Sequence, residues 1–311
     1  MNPQAILFGN GLNRLTAENP SWEELLQQTC QRGSAPLHGS VPYTLMHENL
    51  FLSDKADLSV PQRIEGRTAE YKVKWKIANA SLDLKENPYY HRLAKLNVQH
   101  YLTTNYDACL DFTLEKYGLH RVECSTQEFI YSIARYARYA KPDKWLWNIH
   151  GFAKYPSSLM IGYNQFCGSI NKMKDLQSLE FPILERLRKG DTKPLCWGDF
   201  FYTHDVHIIG LSLDYSDIDL WWMLSERKRL MKVYPELIQN QIHYYYTADG
   251  KADRQFEQLL RSMGVTVHEY VVNRHHRKAI RWTRVYDQIF ATLEEQLGTL
   301  DMELAPAEKL F

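Results

Sequence analysis

Asn105 and Asp107, an amide and a carboxylate two residues apart, follow the short apolar run from His100 to Thr104. The run reads as a buried strand, Thr104-Asn105-Tyr106-Asp107 as the turn after it, and Ala108 to Tyr117 as a helix closed by Gly118. Open α/β sheets bind their ligands at the carboxyl ends of strands, where this pair stands. The plainer reading is that Asp107 caps the helix and Asn105 shapes the turn. Three further strand ends carry polar or glycine-rich tips. The strand from Ala5 to Phe8 runs into Gly9-Asn10-Gly11-Leu12-Asn13, whose glycines would let backbone approach a phosphate or ribose. A plain turn is the alternative there, and the third glycine of the dinucleotide fingerprint is absent at Arg14. The strand from Lys144 to Ile149 ends in His150-Gly151, a histidine that is either a hydrogen-bonded structural residue or a base. The strand from Asp205 to Ile209 runs into Gly210-Leu211-Ser212-Leu213-Asp214, a place for ribose or phosphate or else an ordinary strand-to-helix turn.

The elements that must hold these tips alternate along the chain. After the first loop, Ser21 and Glu24 form a capping box ahead of Leu25 and Leu26. Ser216 and Asp219 repeat the pattern before a helix bearing Ile218, Trp221, Trp222 and Leu224. Ser125 or Thr126 is placed to cap a helix carrying Phe129, Ile130, Ile133 and Tyr136. Ser158 to Tyr163 reads as a short strand and turn, Phe181 to Arg188 as helix, and residues 190–194 as loop. Strands from Gln241 to Tyr246 and from Val265 to Val272 alternate with helices from Arg254 to Met263 and from Ile280 to Leu297. The last helix carries Trp282, Tyr286, Ile289, Phe290 and Leu293 inward, and residues 301–311 read as a frayed tail. This order predicts an α/β fold, a doubly wound parallel sheet built from residues 1–30 and 97–300. Residues 31–96, with breaker clusters at 33–36 and 59–61, read as a helical insertion. In it Tyr71, Trp75, Ala78 and Leu82 share one face and Lys72, Lys74 and Lys76 take the others. The basic stretch Arg274-His275-His276-Arg277 is either a phosphate-holding or a solvated loop.

Composition excludes several functions. Lys+Arg and Asp+Glu both number 37, so no net field draws the chain to nucleic acid or to an anionic membrane. Hydrophobic residues make up 44%, enough for a substantial core, but no run approaches the roughly 20 apolar residues of a membrane span. Five widely spaced cysteines (30, 109, 124, 167 and 196) form no C-x-x-C pair. That argues for reduced thiols and against a zinc ribbon. With no basic signal region at Met1-Asn2-Pro3-Gln4, a soluble cytoplasmic protein is expected.

Taken together, Gly9-Asn10-Gly11-Leu12-Asn13, residues 20–26, Thr103-Thr104-Asn105-Tyr106-Asp107, Ile149-His150-Gly151 and residues 208–213 occur in the order found in sirtuins. More closely, the chain resembles the sirtuin-like domains of bacterial anti-phage defence proteins, over Ala5 to Val272. The resemblance implies a Rossmann-like, sirtuin-type fold with NAD as substrate. Gly9, Asn10, Gly11 and Asn13 would take the pyrophosphate, Thr104, Asn105 and Asp107 the nicotinamide ribose, and Gly210, Ser212 and Asp214 the adenosine-ribose end. His150 would be the base. The chain departs at Asn10, Asn13 and Thr104, where alanine, serine and glutamine are usual. It also lacks the two C-x-x-C pairs of the deacetylase zinc module, so no metal is expected and NAD consumption without an acyl-lysine is favoured. Nicotinamide on ribose is a cationic leaving group, so cleavage needs a pocket tolerant of an oxocarbenium-like centre. Asn105 would position a water or hydroxyl at the anomeric carbon and His150 would take its proton. An NAD glycohydrolase is the first expectation. An NAD-dependent deacylase or ADP-ribosyltransferase is the second, and a non-catalytic NAD or ADP-ribose sensing module the third. The family further implies a homo-oligomer and a separate regulatory partner such as a HerA-type ATPase.

Overall fold

A computed structural model describes residues 2–16, 19–21, 24–25, 42–53, 69–125, 127–248, 254–271 and 278–306. The breaker clusters at 33–36 and 59–61, Leu26, Thr126 and the basic stretch 274–277 lie outside the described residues. Eight strands form one sheet in the order β3-β4-β5-β2-β1-β6-β7-β8. They are β1 Gln4–Phe8, β2 His100–Thr103, β3 Arg121–Glu123, β4 Tyr136–Tyr139, β5 Lys144–Asn148, β6 Asp205–Ile209, β7 Ile242–Ala248 and β8 Val265–Val271. From β5 to β8 every pairing is parallel, while β3 and β4 add an antiparallel edge. This is the expected doubly wound α/β sheet.

From Ala5 to Phe8 the central strand is apolar because both its faces are covered. Ile6 and Phe8 pack on one side with Tyr90, Tyr101, Tyr286 and Phe290. Ala5 and Leu7 pack on the other with Leu102, Trp147, Phe200 and Ile208. Register then aligns the strand tips. Phe8 pairs with both Thr103 and Ile209, and Thr103 pairs with Asn148, so the segments at Gly9, Thr104, Ile149 and Gly210 leave the sheet along one edge. The chain crosses from β2 on one side of β1 to β6 on the other, making this edge a topological switch point.

Helices flank the sheet: α1 Tyr43–Ser53, α2 Ala69–Leu82, α3 Pro88–Lys95, α4 Cys109–Lys116, α5 Tyr163–Asp175, α6 Ile183–Arg188, α7 Phe200–Thr203, α8 Ile218–Val233, α9 Arg254–Ser262 and α10 Lys278–Leu297. Four expectations are corrected. Residues 127–135 form turns rather than a helix, and Tyr136 opens β4. The Arg135 guanidinium is buried and donates to the carbonyls of Gln127, Phe129 and Asn148, while Ser125 Oγ accepts from the Tyr136 N–H. Backbone carbonyls spent on an arginine are unavailable to a helix. Ser158 to Tyr163 contains no strand, and Tyr163 starts α5. There Gln165 Oε1 accepts the N–H groups of Ile161 and Gly162 at 2.6 and 3.1 Å. On α2 the inward face is Lys74, Ile77, Ala78 and Ser81, and Trp75 is 53% exposed. Lys74 turns inward because it pairs with Glu70 at 3.1 Å. Finally, residues 301–306 have no regular structure yet are tied down. Met302 is buried, and the Ala305 N–H donates to the Lys116 carbonyl at 2.8 Å. No helix among the described residues is long and apolar enough to cross a membrane.

Candidate active site

A cavity of 870 Å³ opens over the aligned strand tips. Asn10, Gly11, Asn13, Thr104, Asn105, Asp107, His150, Gly210, Ser212 and Asp214 all line it. Gly9 is the expected site residue that does not. It lies beneath, its N–H donating to the Ile209 carbonyl at 3.1 Å.

The first loop needs its second glycine for reasons of packing. The Gly11 N–H donates to the Gly210 carbonyl at 2.7 Å, and a Cβ on Gly11 would lie 2.6 Å from the Tyr286 hydroxyl. The loops after β1 and β6 therefore close against each other, and no side chain fits between them. Asn13 is 1% exposed, and its amide Nδ2 donates to Asp107 Oδ2 at 2.7 Å and to Asn10 Oδ1 at 3.0 Å. The Tyr90 hydroxyl of α3 donates to Asn13 Oδ1 at 2.5 Å, fixing which way the amide faces. The Asp107 carboxylate accepts the N–H of Cys109, the first residue of α4, at 2.9 Å, from one position ahead of the N-cap Ala108. It also braces the first loop. Burial raises its carboxyl above the ordinary range, against the lowering hydrogen bonds from Asn13 and Cys109.

Asn105 is different. Its N–H donates to Thr103 Oγ1 at 3.0 Å, which fixes the turn, but its side-chain Nδ2 is buried with no hydrogen bond of ordinary length, and the group it interacts with, the Tyr90 hydroxyl, is already given to Asn13. A buried amide without a full hydrogen bond costs about 1–3 kcal/mol, so folding alone does not account for its orientation. His150 stands across the same cavity. The two tips are locked together by Tyr106, whose hydroxyl donates to the Met160 carbonyl while Met160 N–H donates to the His150 carbonyl. Gly151 adopts a φ of +116°, and a Cβ there would lie 2.6 Å from the Ser158 carbonyl oxygen. Only glycine lets the chain turn so soon after the histidine.

The residue missed in the sequence is Asp219. The expected capping box with Ser216 does not form. Instead the Asp219 carboxylate is fully buried and lies 3.0 Å from His150 Nε2. Burial opposes protonation of His150, but the charge of Asp219, its hydrogen bond and the charge of Asp217 outweigh it, and the imidazole is raised above its ordinary value. Asp217, also on the cavity wall, is raised to about 7, first by burial and then by Asp219 and Asp214, against the lowering effect of His150. Ser216 Oγ is left buried and unpartnered. The only signal for this cluster was three acids within six residues, at 214, 217 and 219, after a glycine-rich strand tip.

The arrangement is that of an α/β protein with a nucleotide-sized cavity at the sheet's switch point, carrying an amide without a full hydrogen bond and a carboxylate-held imidazole. A SIR2-like domain model matches residues 99–268, more than half of the chain, and the chain belongs to that family. Its function is accordingly of sirtuin type and NAD-related. No curated protein matches the chain.

Proposed function

We propose that this chain is an NAD glycohydrolase, releasing nicotinamide and ADP-ribose. The observation that carries the reading is the buried Nδ2 of Asn105, without a full hydrogen bond, in the same cavity as a histidine held by Asp219. A buried donor that faces a cavity and has no full hydrogen bond in the free protein is available to a ligand. In hydrolysis the bond between nicotinamide nitrogen and ribose C1′ breaks, its electron pair leaves with nicotinamide, and water oxygen bonds to C1′. One proton is released. Asn105 orients the water or ribose hydroxyl, and His150 accepts the proton through the nitrogen not engaged by Asp219. The glycine-rich loop with Asn10, Gly11 and Asn13 would hold the pyrophosphate, and Gly210, Ser212 and Asp214 the adenosine-ribose end. Thr104 and Asp107 would support the nicotinamide ribose.

Purified protein incubated with NAD should release free nicotinamide, and Asn105→Ala should abolish release while the protein stays folded. Mass spectrometry of the second product separates hydrolysis from acyl or ADP-ribosyl transfer. Tight NAD binding with no nicotinamide formed would leave a sensing module instead. In the cell the same reaction would act as an effector of bacterial anti-phage defence by depleting cytoplasmic NAD, as a homo-oligomer under a partner such as a HerA-type ATPase. NAD levels in infected cells carrying the wild type or Asn105→Ala would test it.

A further inference from the structure

Ser216 follows β6 and precedes α8 by two residues, within the acidic turn at residues 214–217. The residue is 5% exposed and lines the cavity, and its hydroxyl makes no hydrogen bond. The turn that presents it is fixed without that hydroxyl. Asp214 Oδ1 accepts the Ser216 N–H at 2.8 Å, the Asp217 N–H donates to the Asp214 carbonyl at 2.9 Å, and Trp221 Nε1 donates to the same carbonyl at 3.1 Å. Folding therefore leaves Ser216 Oγ desolvated for no internal return, a cost that a hydrogen-bonding ligand would relieve.

The wall around it says which ligand group. Asp214, Ser216 and Asp217 present carboxylate and hydroxyl oxygens, and no lysine or arginine stands among residues 210–217. Phosphate would be repelled here, whereas a sugar hydroxyl donates to such acceptors. Among the described residues that line the cavity the arginine is Arg14, after β1, whose guanidinium pairs with Glu24 at 3.0 Å.

We infer that Ser216 is a substrate-binding residue that hydrogen bonds a ribose hydroxyl of the dinucleotide, with the Asp214–Asp217 turn as the sugar-binding wall. This rests on the NAD reading of the cavity and adds to it a residue and a contact. The loss of one neutral hydrogen bond should raise the KM for NAD of Ser216→Ala about three- to tenfold, with a smaller change in kcat. Without NAD the variant should melt no lower than wild type, because the removed hydroxyl had no partner, and the upward shift that NAD gives should shrink. Four analogues, each lacking the 2′- or 3′-hydroxyl of one ribose, locate the contact. Wild type should lose a similar factor with one of them, and Ser216→Ala should lose nothing further with that analogue.

Unchanged KM and unchanged discrimination in Ser216→Ala would overturn the assignment, as would a melting temperature lowered by several degrees without NAD. So would a wild type indifferent to all four analogues. Asn105→Ala run alongside separates the levels: if it is inactive while Ser216→Ala is normal, this contact alone is wrong. If Asn105→Ala turns over NAD normally, the reading of the whole cavity fails.

Discussion

Two sets of histidines in one sheet titrate in opposite directions. His150, at the tip of β5, is buried against Asp219 and raised. His207, His243 and His268 lie on β6, β7 and β8, and all three are lowered, chiefly by burial. His207 stacks on His243 with centroids 4.8 Å apart, and His243 Nδ1 lies 3.1 Å from His268 Nε2. The charged groups facing this ladder are Asp205, which raises His207 and His243, and Arg261, which lowers His268. Asp205 does not reverse burial, because its Oδ1 already accepts from Asn2 and Gln241 and its Oδ2 from Gln4. A carboxylate within hydrogen-bond distance, given to the ring itself, decides the sign. One imidazole at a strand tip is thus raised, while His207, His243 and His268, and His100 on β2 with them, are lowered by burial.

The sharpest way to break this contrast is to remove each member. His150→Ala should lower the rate of nicotinamide release at least about a hundredfold, the lower end for general-base catalysis, with far-ultraviolet circular dichroism unchanged. Retained turnover would reduce His150 to packing like the others. Asp219→Asn should cost less, about ten- to a hundredfold, by analogy with other positioning partners of catalytic or ligating histidines. It also carries a signed signature. Without the Asp219 charge, burial dominates and the imidazole falls below its present value, so the acid limb of the pH–rate profile should move to lower pH even as the maximum rate drops. A lowered rate with an unmoved limb would show that Asp219 supports structure alone.

A third measurement sets His150 against His207 and the other depressed histidines through stability. A histidine whose folded value is depressed favours the fold above its unfolded pKa of ~6.5 and gives that up as pH falls toward the folded value. For His207 the folded value is about 3, for His100 about 3 and for His204 about 4. His150 has the opposite sign: its contribution is full below ~6.5 and is lost as pH rises through its folded value. His47, also depressed to about 4, makes four that lose stability as pH falls. Against them stand His150 and Asp217, whose raised carboxyl gains stability as pH falls below about 7, and four against two predicts net loss. Urea unfolding should show stability falling between pH 6.5 and 4 by up to about 1.4 kcal/mol per unit for each fully buried histidine. A flat profile would mean the depressed values are wrong.

How much of this was visible in the residues varies with what carried the signal. The parallel strands and their tips were legible because central strands are apolar on both faces, as Ala5 to Phe8 are, and end at glycine or polar turns. Asn105 and His150 were legible as types at strand ends. The antiparallel edge was not. Phe129, Ile130, Ile133 and Tyr136 have helical spacing, and only the buried Arg135, drawing in three carbonyls, defeats it. The start of α5 hid because its cap comes from Gln165 reaching backward, with no serine, threonine, aspartate or asparagine at Gly162. Asp219 hid in plain view. At three residues after Ser216 it fits a capping box, and only the long-range contact with His150, 69 positions away, shows what its carboxylate does. Local pattern cannot rank a cap against a tertiary partner.

The smallest effect tests whether the ladder is as inert as the contrast requires. His207 Nε2 lies 2.9 Å from Gln4 Oε1, while Gln4 Nε2 donates to Asp205, so the ring nitrogen is the donor in that pair. Nδ1 then accepts from the Tyr245 hydroxyl at 2.9 Å when that proton is turned away from Gln296 Oε1, 3.1 Å from the same oxygen. Both ring nitrogens are satisfied in the neutral form, and a second proton would have to enter a buried stack beside His243. His207→Gln keeps a donor and an acceptor but not the ring. It should cost about 1 kcal/mol at neutral pH, from imperfect hydrogen bonds and lost stacking. Its stability should then fall less steeply than wild type between pH 6 and 4, because one depressed titration has been removed. Nicotinamide release below the melting range should match wild type, since His207 lies within β6 rather than among the residues lining the cavity. A variant that lost activity in proportion to His150→Ala would join the two sets and end the distinction between a working imidazole and a packed one.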